Sequence, residues 1–239
     1  LQSRFRLPPP RHSLHGGEER RADYDLAGKG RVRRKIAQTM YLQCEQSGEN
    51  YEFIEVAMKF SKDIRTNVFA LKNNKTLKQT IEHSRYSKLK KETEERFRAD
   101  LDKPLGTFLL ELKIRDDQFY KKFLNKHGDS TYSIFGITTA HLLKLKGVYA
   151  YTSRDNLMYI GRCRDAIGKR VNQGYGKIHP KNCYIDGQAT NCHLNSLITS
   201  DCHGVRFWFH PLESDSKIVD VERRLVRKYS PSWNLHKFL

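Results

Sequence analysis

The sequence predicts an α+β protein in two parts. An α-helical domain is expected over residues 40–146. It precedes a small three-stranded, mostly antiparallel sheet flanked by helices over 147–239. Three observations predict this. No Gly or Pro occurs from Glu49 to Leu101, and the apolar residues there recur at helical spacing. From Gly147 the texture changes to short aromatic and β-branched runs separated by turn residues. Residues 1–39 show neither period.

Residues 1–39 read as a basic leader without regular structure. They hold Pro8 to Pro10, Gly16-Gly17 and the basic run Arg31, Arg33, Arg34 and Lys35. The run reads either as an arm that touches phosphates or as a solvated leader. The chain begins with Leu1, and Met40 is a plausible initiator. Phe53, Val56, Phe60, Ile64, Val68 and Leu71 follow at steps of 3, 4, 4, 4 and 3, which would share one helix face. A second helix is expected from Thr76 through Phe97, with Leu77 and Ile81 inward, ended by Pro104 and Gly106. A third stripe is Phe108, Leu112, Phe119 and Phe123. After the break at 127–130, Asp129 or Ser130 would cap a fourth helix carrying Tyr132, Phe135, Leu142 and Leu143. Lys72, Lys75, Lys78, Lys88, Lys90 and Lys91 suit either a DNA backbone or a solvated face balanced by Glu92, Glu94 and Glu95.

In the second part, residues 148–152 and 157–161 read as a hairpin around Ser153 to Asn156. A short helix over 165–171 and a loop over 174–187 follow. Then come a helix over 190–199, a strand over 205–210 and an amphipathic helix over 216–229, stopped by Pro231.

Composition bounds the function. The 239 residues carry 44 Lys+Arg against 27 Asp+Glu, a net charge of 44 − 27 = +17, which favours a polyanionic partner, nucleic acid before membrane. No run approaches about 18 apolar residues, so no membrane span is expected. The first ten residues lack the apolar core of a secretory signal. Five Cys, an odd and low count, argue against a disulfide framework and for a reducing, cytoplasmic setting. Cys163, Cys183, Cys192 and Cys202, with His193 and His203, raise zinc, but their spacings match no compact zinc motif. The alternative is small buried residues.

The strongest chemical signal lies in the hairpin. Gly147-Val148-Tyr149 stands on one strand and Tyr159-Ile160-Gly161 on the next. Lys169-Arg170, Glu222 and Trp233-Asn234 follow in order. Adjacent strands can bring Tyr149 and Tyr159 together on one face, and Gly147 and Gly161 would permit close approach. Two such tyrosines alone are more often core than catalytic. Arg170 offers a planar fork of donors for phosphate oxygens. Glu222, among basic residues on its helix, is either a salt-bridge partner or a hard oxygen ligand for Mg²⁺.

In this order and spacing, residues 147–234 resemble the GIY-YIG nuclease superfamily, with GVY in place of the first motif. The resemblance implies a divalent-metal-dependent DNA endonuclease. Tyr149, with Tyr159 beside it, would activate or position the attacking water. Arg170 would stabilise charge on phosphorus, and Glu222 would bind Mg²⁺ or Mn²⁺ beside the leaving oxygen. Family members carry His or Tyr four residues after the Arg; here that place is Gly174, so Tyr175 is the candidate equivalent. Cys192-His193 resembles a further family site, with a structural role for His193 as the alternative. Asn234 would tie the tail to the site or act as a turn residue. Arg162, Arg164, Lys177 and Lys181 are the candidate DNA contacts. A site of this type nicks one strand, so double-stranded DNA would call for a homodimer. The expected function is a restriction-type, site-specific endonuclease. The alternatives are a homing or repair nuclease, or a nucleic-acid-binding module without catalysis.

Overall fold

The structure is a computed structural model that describes residues 38–43, 48–71 and 74–235. The expected basic run at 31–35 and Lys72 lie outside the described residues. The strands are β1 (Thr39–Gln43), β2 (Asn50–Val56), β3 (Met58–Arg65), β4 (Tyr132–Ile137), β5 (Gly147–Ser153), β6 (Asn156–Cys163) and β7 (Val205–Pro211). The α-helices are α1 (Leu77–Ile81), α2 (Ser87–Arg96), α3 (Leu105–Ile114), α4 (Pro180–Cys183), α5 (Ala189–Ser200) and α6 (Asp215–Tyr229).

A curled five-stranded antiparallel sheet runs in the order β1-β2-β7-β5-β6, and β3 pairs with β4 in a separate two-stranded sheet. The expected fold class therefore needs correction. The sheet has five strands, not three, and residues 40–146 are not purely helical, because they supply β1 to β4. The expected hairpin at 148–161 is β5–β6, and β7 lies on the other side of β5.

The first apolar stripe failed for a physical reason. Phe53 and Val56 are three residues apart, which is one face of a helix but opposite faces of a strand. In β2, Phe53 packs into one hydrophobic cluster and Val56 into the other. A sheet buried on both sides erases the two-residue alternation that would have identified it. The pairing of Ile54, Glu55 and Val56 with Phe209, Trp208 and Phe207 then fixes β2, and that contact is remote in sequence.

The fourth stripe is also a strand. Tyr132 and Phe135 stand in β4, and Leu142 lies in a single 3₁₀ turn, Ala140–Leu142. Asp129 caps nothing there: it accepts Lys113 Nζ at 2.6 Å and Tyr120 Oη at 2.8 Å. The second helix is interrupted. Thr76 and Gln79 form a reciprocal cap at the start of α1, and a 3₁₀ turn at Ser84–Tyr86 separates it from α2. Of the third stripe, Phe108 and Leu112 are in α3, while Phe119 and Phe123 lie in the 3₁₀ turn Gln118–Phe123.

Two asparagines finish exposed strand edges by imitating a backbone. Asn172 Oδ1 accepts Ile137 N at 2.8 Å, and its Nδ2 donates to Ile137 O at 3.1 Å. Asn234 does the same to Ile160, at 3.0 and 2.8 Å, and Trp233 N donates to Met158 O at 2.8 Å. The tail thus covers the upper edge of β6, where unpaired backbone groups would otherwise meet solvent.

Candidate active site

Below that clamp the edge of β6 stays open and borders a cleft of about 630 Å³. Tyr159, Arg162, Arg164, Lys169, Arg170 and Glu222 line it. They come from β6, the turn after it, the helical segment Lys169–Tyr175 and α6, so residues more than fifty positions apart meet at one strand edge. Alternation explains the arrangement. In the β5–β6 register Tyr149 faces Gly161 and Tyr151 faces Tyr159, on one side of the sheet. Ile160 and Arg162 point to the other side, toward α6. Tyr159 and Arg170 therefore reach the cleft from one face, and Arg162 and Glu222 from the other.

Behind Tyr159 lies a nest of aromatic rings. The Tyr149 ring stands 6.1 Å from Tyr159, 6.2 Å from Tyr175 and 5.8 Å from Phe207. Tyr149 does not line the cleft; its ring is fully buried. Its hydroxyl occupies the space that Gly161 leaves, since a Cβ there would sit 2.5 Å from Tyr149 Oη. Gly161 is thus required by close approach.

Tyr175 reaches the nest through a change of helical pitch. Lys169–Tyr175 is wound as a π-helix, and Gly176 N donates to Val171 O, five residues back, at 2.7 Å. Residues five apart then share a face, which sets the Arg170 guanidinium 5.4 Å from the centre of the Tyr175 ring. Asn172 holds this helix to β4, and the buried Asn195 donates to Tyr175 O at 2.5 Å.

Among the described residues, four buried polar atoms here lack a well-formed hydrogen bond: the hydroxyls of Tyr149, Tyr151 and Tyr175, and Arg170 Nε. Tyr149 nevertheless lies beside Arg170, and Tyr151 beside Tyr175. Buried polar groups are nearly always paired, so this cluster is exceptional. Burial pushes the Tyr151, Tyr159 and Tyr175 phenols well above the usual range, so they remain neutral donors. The neighbouring phenols, Tyr149 first, raise the Arg170 guanidinium against the opposing effect of burial. Tyr151 was not singled out by the sequence. Its signal was available, as it stands two residues after Tyr149 on the same strand face.

Glu222 is held by Arg162, an ion pair with a hydrogen bond. Its side chain is 12% exposed. Burial raises its pKa, and Arg162 and Arg170 oppose the rise. Two other carboxylates border the cleft. Asp165 pairs with Lys169 at 2.8 Å, and Asp215 with Lys146 at 2.6 Å. Arg164 and Arg170 have no carboxylate partner among the described residues, which leaves the cleft basic. No group of three His, Cys, Asp or Glu among the described residues could hold a metal ion unaided. Glu222 nevertheless suits Mg²⁺, which needs only one or two carboxylates when water and substrate oxygens complete its shell.

The remaining expected residues lie elsewhere. His193 is outside the cleft: its Nε2 lies 3.0 Å from Trp233 O, and its ring packs 4.4 Å from that of His127. Burial lowers the pKa of both imidazoles. Asn234 belongs to the edge clamp. Lys177 is exposed, and Lys181 borders a second cavity. Cys183 and Cys192 are buried with their sulfurs 3.9 Å apart, while Cys163 lines the cleft.

Comparison of the chain with protein-family models, with curated proteins and with solved structures returned no match. No helix among the described residues is long and apolar enough to cross a membrane.

Proposed function

We propose that the chain is a divalent-metal-dependent endonuclease that hydrolyses DNA phosphodiester bonds in the cleft at the β6 edge. One observation carries this reading: Tyr159, Arg170 and Glu222 meet in a single basic cleft, with Tyr149 and Tyr175 against its wall. Arg170 presents its fork to the phosphate, and Arg164 and Lys169 add positive charge beside it. The Tyr159 phenol, which lines the cleft, is a donor and would orient the attacking water, with Tyr149 packed behind it. Neutral phenols of this kind are poor bases, so fixed positive charge carries much of the rate. A single preorganised donor is typically worth about 10²–10³-fold. Glu222 would hold the ion, which supplies Lewis acidity at the leaving oxygen. Arg162 then exchanges its carboxylate partner for a substrate phosphate. The finer reading is a site-specific enzyme of restriction type, working as a homodimer so that two sites cut two strands.

A second reading rests on the Arg162–Glu222 pair. A cleft whose lining carboxylates, Glu222, Asp165 and Asp215, are each already paired with a cation suits a module that binds nucleic acid without cutting it. Incubation with plasmid and defined duplexes in Mg²⁺, with mapping of the ends, separates the two. Mg²⁺-dependent cuts at discrete positions support the endonuclease, and a ladderless smear supports a nonspecific nuclease. Intact DNA held in a salt-sensitive complex supports the binding module and removes the enzymatic reading.

A further inference from the structure

A second cavity, of about 370 Å³, lies away from the cleft between α1, the turn before α2, and the segment 179–186. Its size is at the lower end for small-molecule sites and suits one nucleotide. The buried rings of Tyr86 and Tyr184, with Leu105 and Pro180, give it apolar walls. A carboxylate stands among them: Asp186 Oδ1 accepts the Tyr86 hydroxyl at 2.6 Å. That bond fixes the carboxylate and leaves its other oxygen as an acceptor.

The opposite character marks the rim. His83 Nδ1 accepts Arg85 N at 3.3 Å, and His179 Nδ1 accepts Lys181 N at 3.2 Å. With Nδ1 accepting in each ring, Nε2 is left as the N–H donor. Lys181 is exposed and has no ion pair among the described residues. An apolar slot with one oriented acceptor, rimmed by cationic and N–H donors, matches a heterocyclic base joined to a phosphate.

We infer that this cavity binds a single nucleotide unit, its base against Tyr86 and Tyr184 with an amino edge toward Asp186, and its phosphate at Lys181 and the two histidines. The ligand has two sources of the same chemistry: a free nucleoside monophosphate, or a base turned out of a nucleic acid strand. Neither source requires the cleft to be catalytic. The charge of the wall sets a preference. A carboxylate accepts from the exocyclic amino groups of cytosine, adenine or guanine, which thymine lacks.

The test uses the full chain carrying Glu222→Ala, in EDTA, so that cleavage plays no part and failure of the endonuclease reading leaves it intact. The four deoxynucleoside monophosphates and inorganic phosphate are titrated by calorimetry. An oligonucleotide with an internal 2-aminopurine is titrated by fluorescence. The expected result is one site per chain that binds the monophosphates with amino-bearing bases about tenfold or more tighter than inorganic phosphate. Lys181→Glu, at an exposed position, and Asp186→Asn each weaken it about tenfold or more. If the site prefers a turned-out base, the 2-aminopurine signal rises on binding and the free monophosphates bind weakly. Either pattern, abolished by both variants, supports the inference. No saturable binding of any probe, or binding indifferent to both substitutions, overturns it.

Discussion

The two faces of the five-stranded sheet are packed by different chemistry. On one face Val148, Ala150, Ile160 and Trp208 meet Ile218, Val221, Leu225 and Val226 of α6. The Trp208 indole N–H is satisfied there, donating to Thr152 Oγ1 at 2.9 Å. On the other face Tyr149, Tyr151 and Tyr159 surround Arg170 and Tyr175, and three hydroxyls and a guanidinium nitrogen lack well-formed hydrogen bonds among the described residues. Both faces are buried, yet only on the first are the described polar groups in well-formed hydrogen bonds. The first is built for cohesion. The second is packed with phenols and a guanidinium, the groups that the proposed chemistry would use. The cleft lies at the strand edge where the two faces meet.

Substitutions on the two faces should therefore fail in different ways. Leu225→Ala, in the α6 seam, should lower stability by about 2–5 kcal/mol, with turnover per folded molecule retained; urea unfolding and a cleavage assay on the same sample check both. Arg170→Lys should do the reverse. Turnover should fall by about 10²-fold or more, because a point charge does not replace the fork, while the circular dichroism spectrum stays unchanged. Near-normal cleavage by that variant would remove Arg170 from the chemistry.

A gentler probe is pH. Burial raises the Glu222 pKa and Arg162 lowers it, so Arg162→Ala should move the acidic limb of the cleavage profile to higher pH. The folded chain holds that proton more tightly than the unfolded chain. The group's contribution to stability is thus greatest below its ordinary pKa and is lost as pH rises through the folded value. The smallest effect is expected from Tyr151→Phe. It deletes a buried hydroxyl that makes no well-formed hydrogen bond among the described residues, so stability should change by no more than about 1 kcal/mol and need not fall. A loss of several kcal/mol would show that the hydroxyl is paired.

The same contrast governs what could be read from the chain. The hairpin, β7, α5 and α6 were legible because local turns, β-branched runs and the helical spacing of Ile218, Val221 and Leu225 specify them directly. β1 to β4 were not. Phe53 and Val56 mimic a helix because β2 is buried on both faces, and β2 exists through its pairing with β7, some 150 residues away. In the cleft, the residue types at 159, 170 and 222 could be picked out, but their partners could not. The Arg162–Glu222 pair depends on which face of β6 each residue takes, and the approach of Tyr175 to Arg170 depends on a π-turn that no propensity announces.

Glu222 and Leu225 stand three residues apart on α6, one at the cleft and one in the seam, and together they give the most direct test. Mg²⁺-dependent plasmid cleavage by Glu222→Ala and Leu225→Ala should be measured beside their unfolding curves. The account predicts that the first keeps its stability and DNA binding but loses cleavage, while the second loses stability and still cuts. Undiminished cleavage by Glu222→Ala would contradict it.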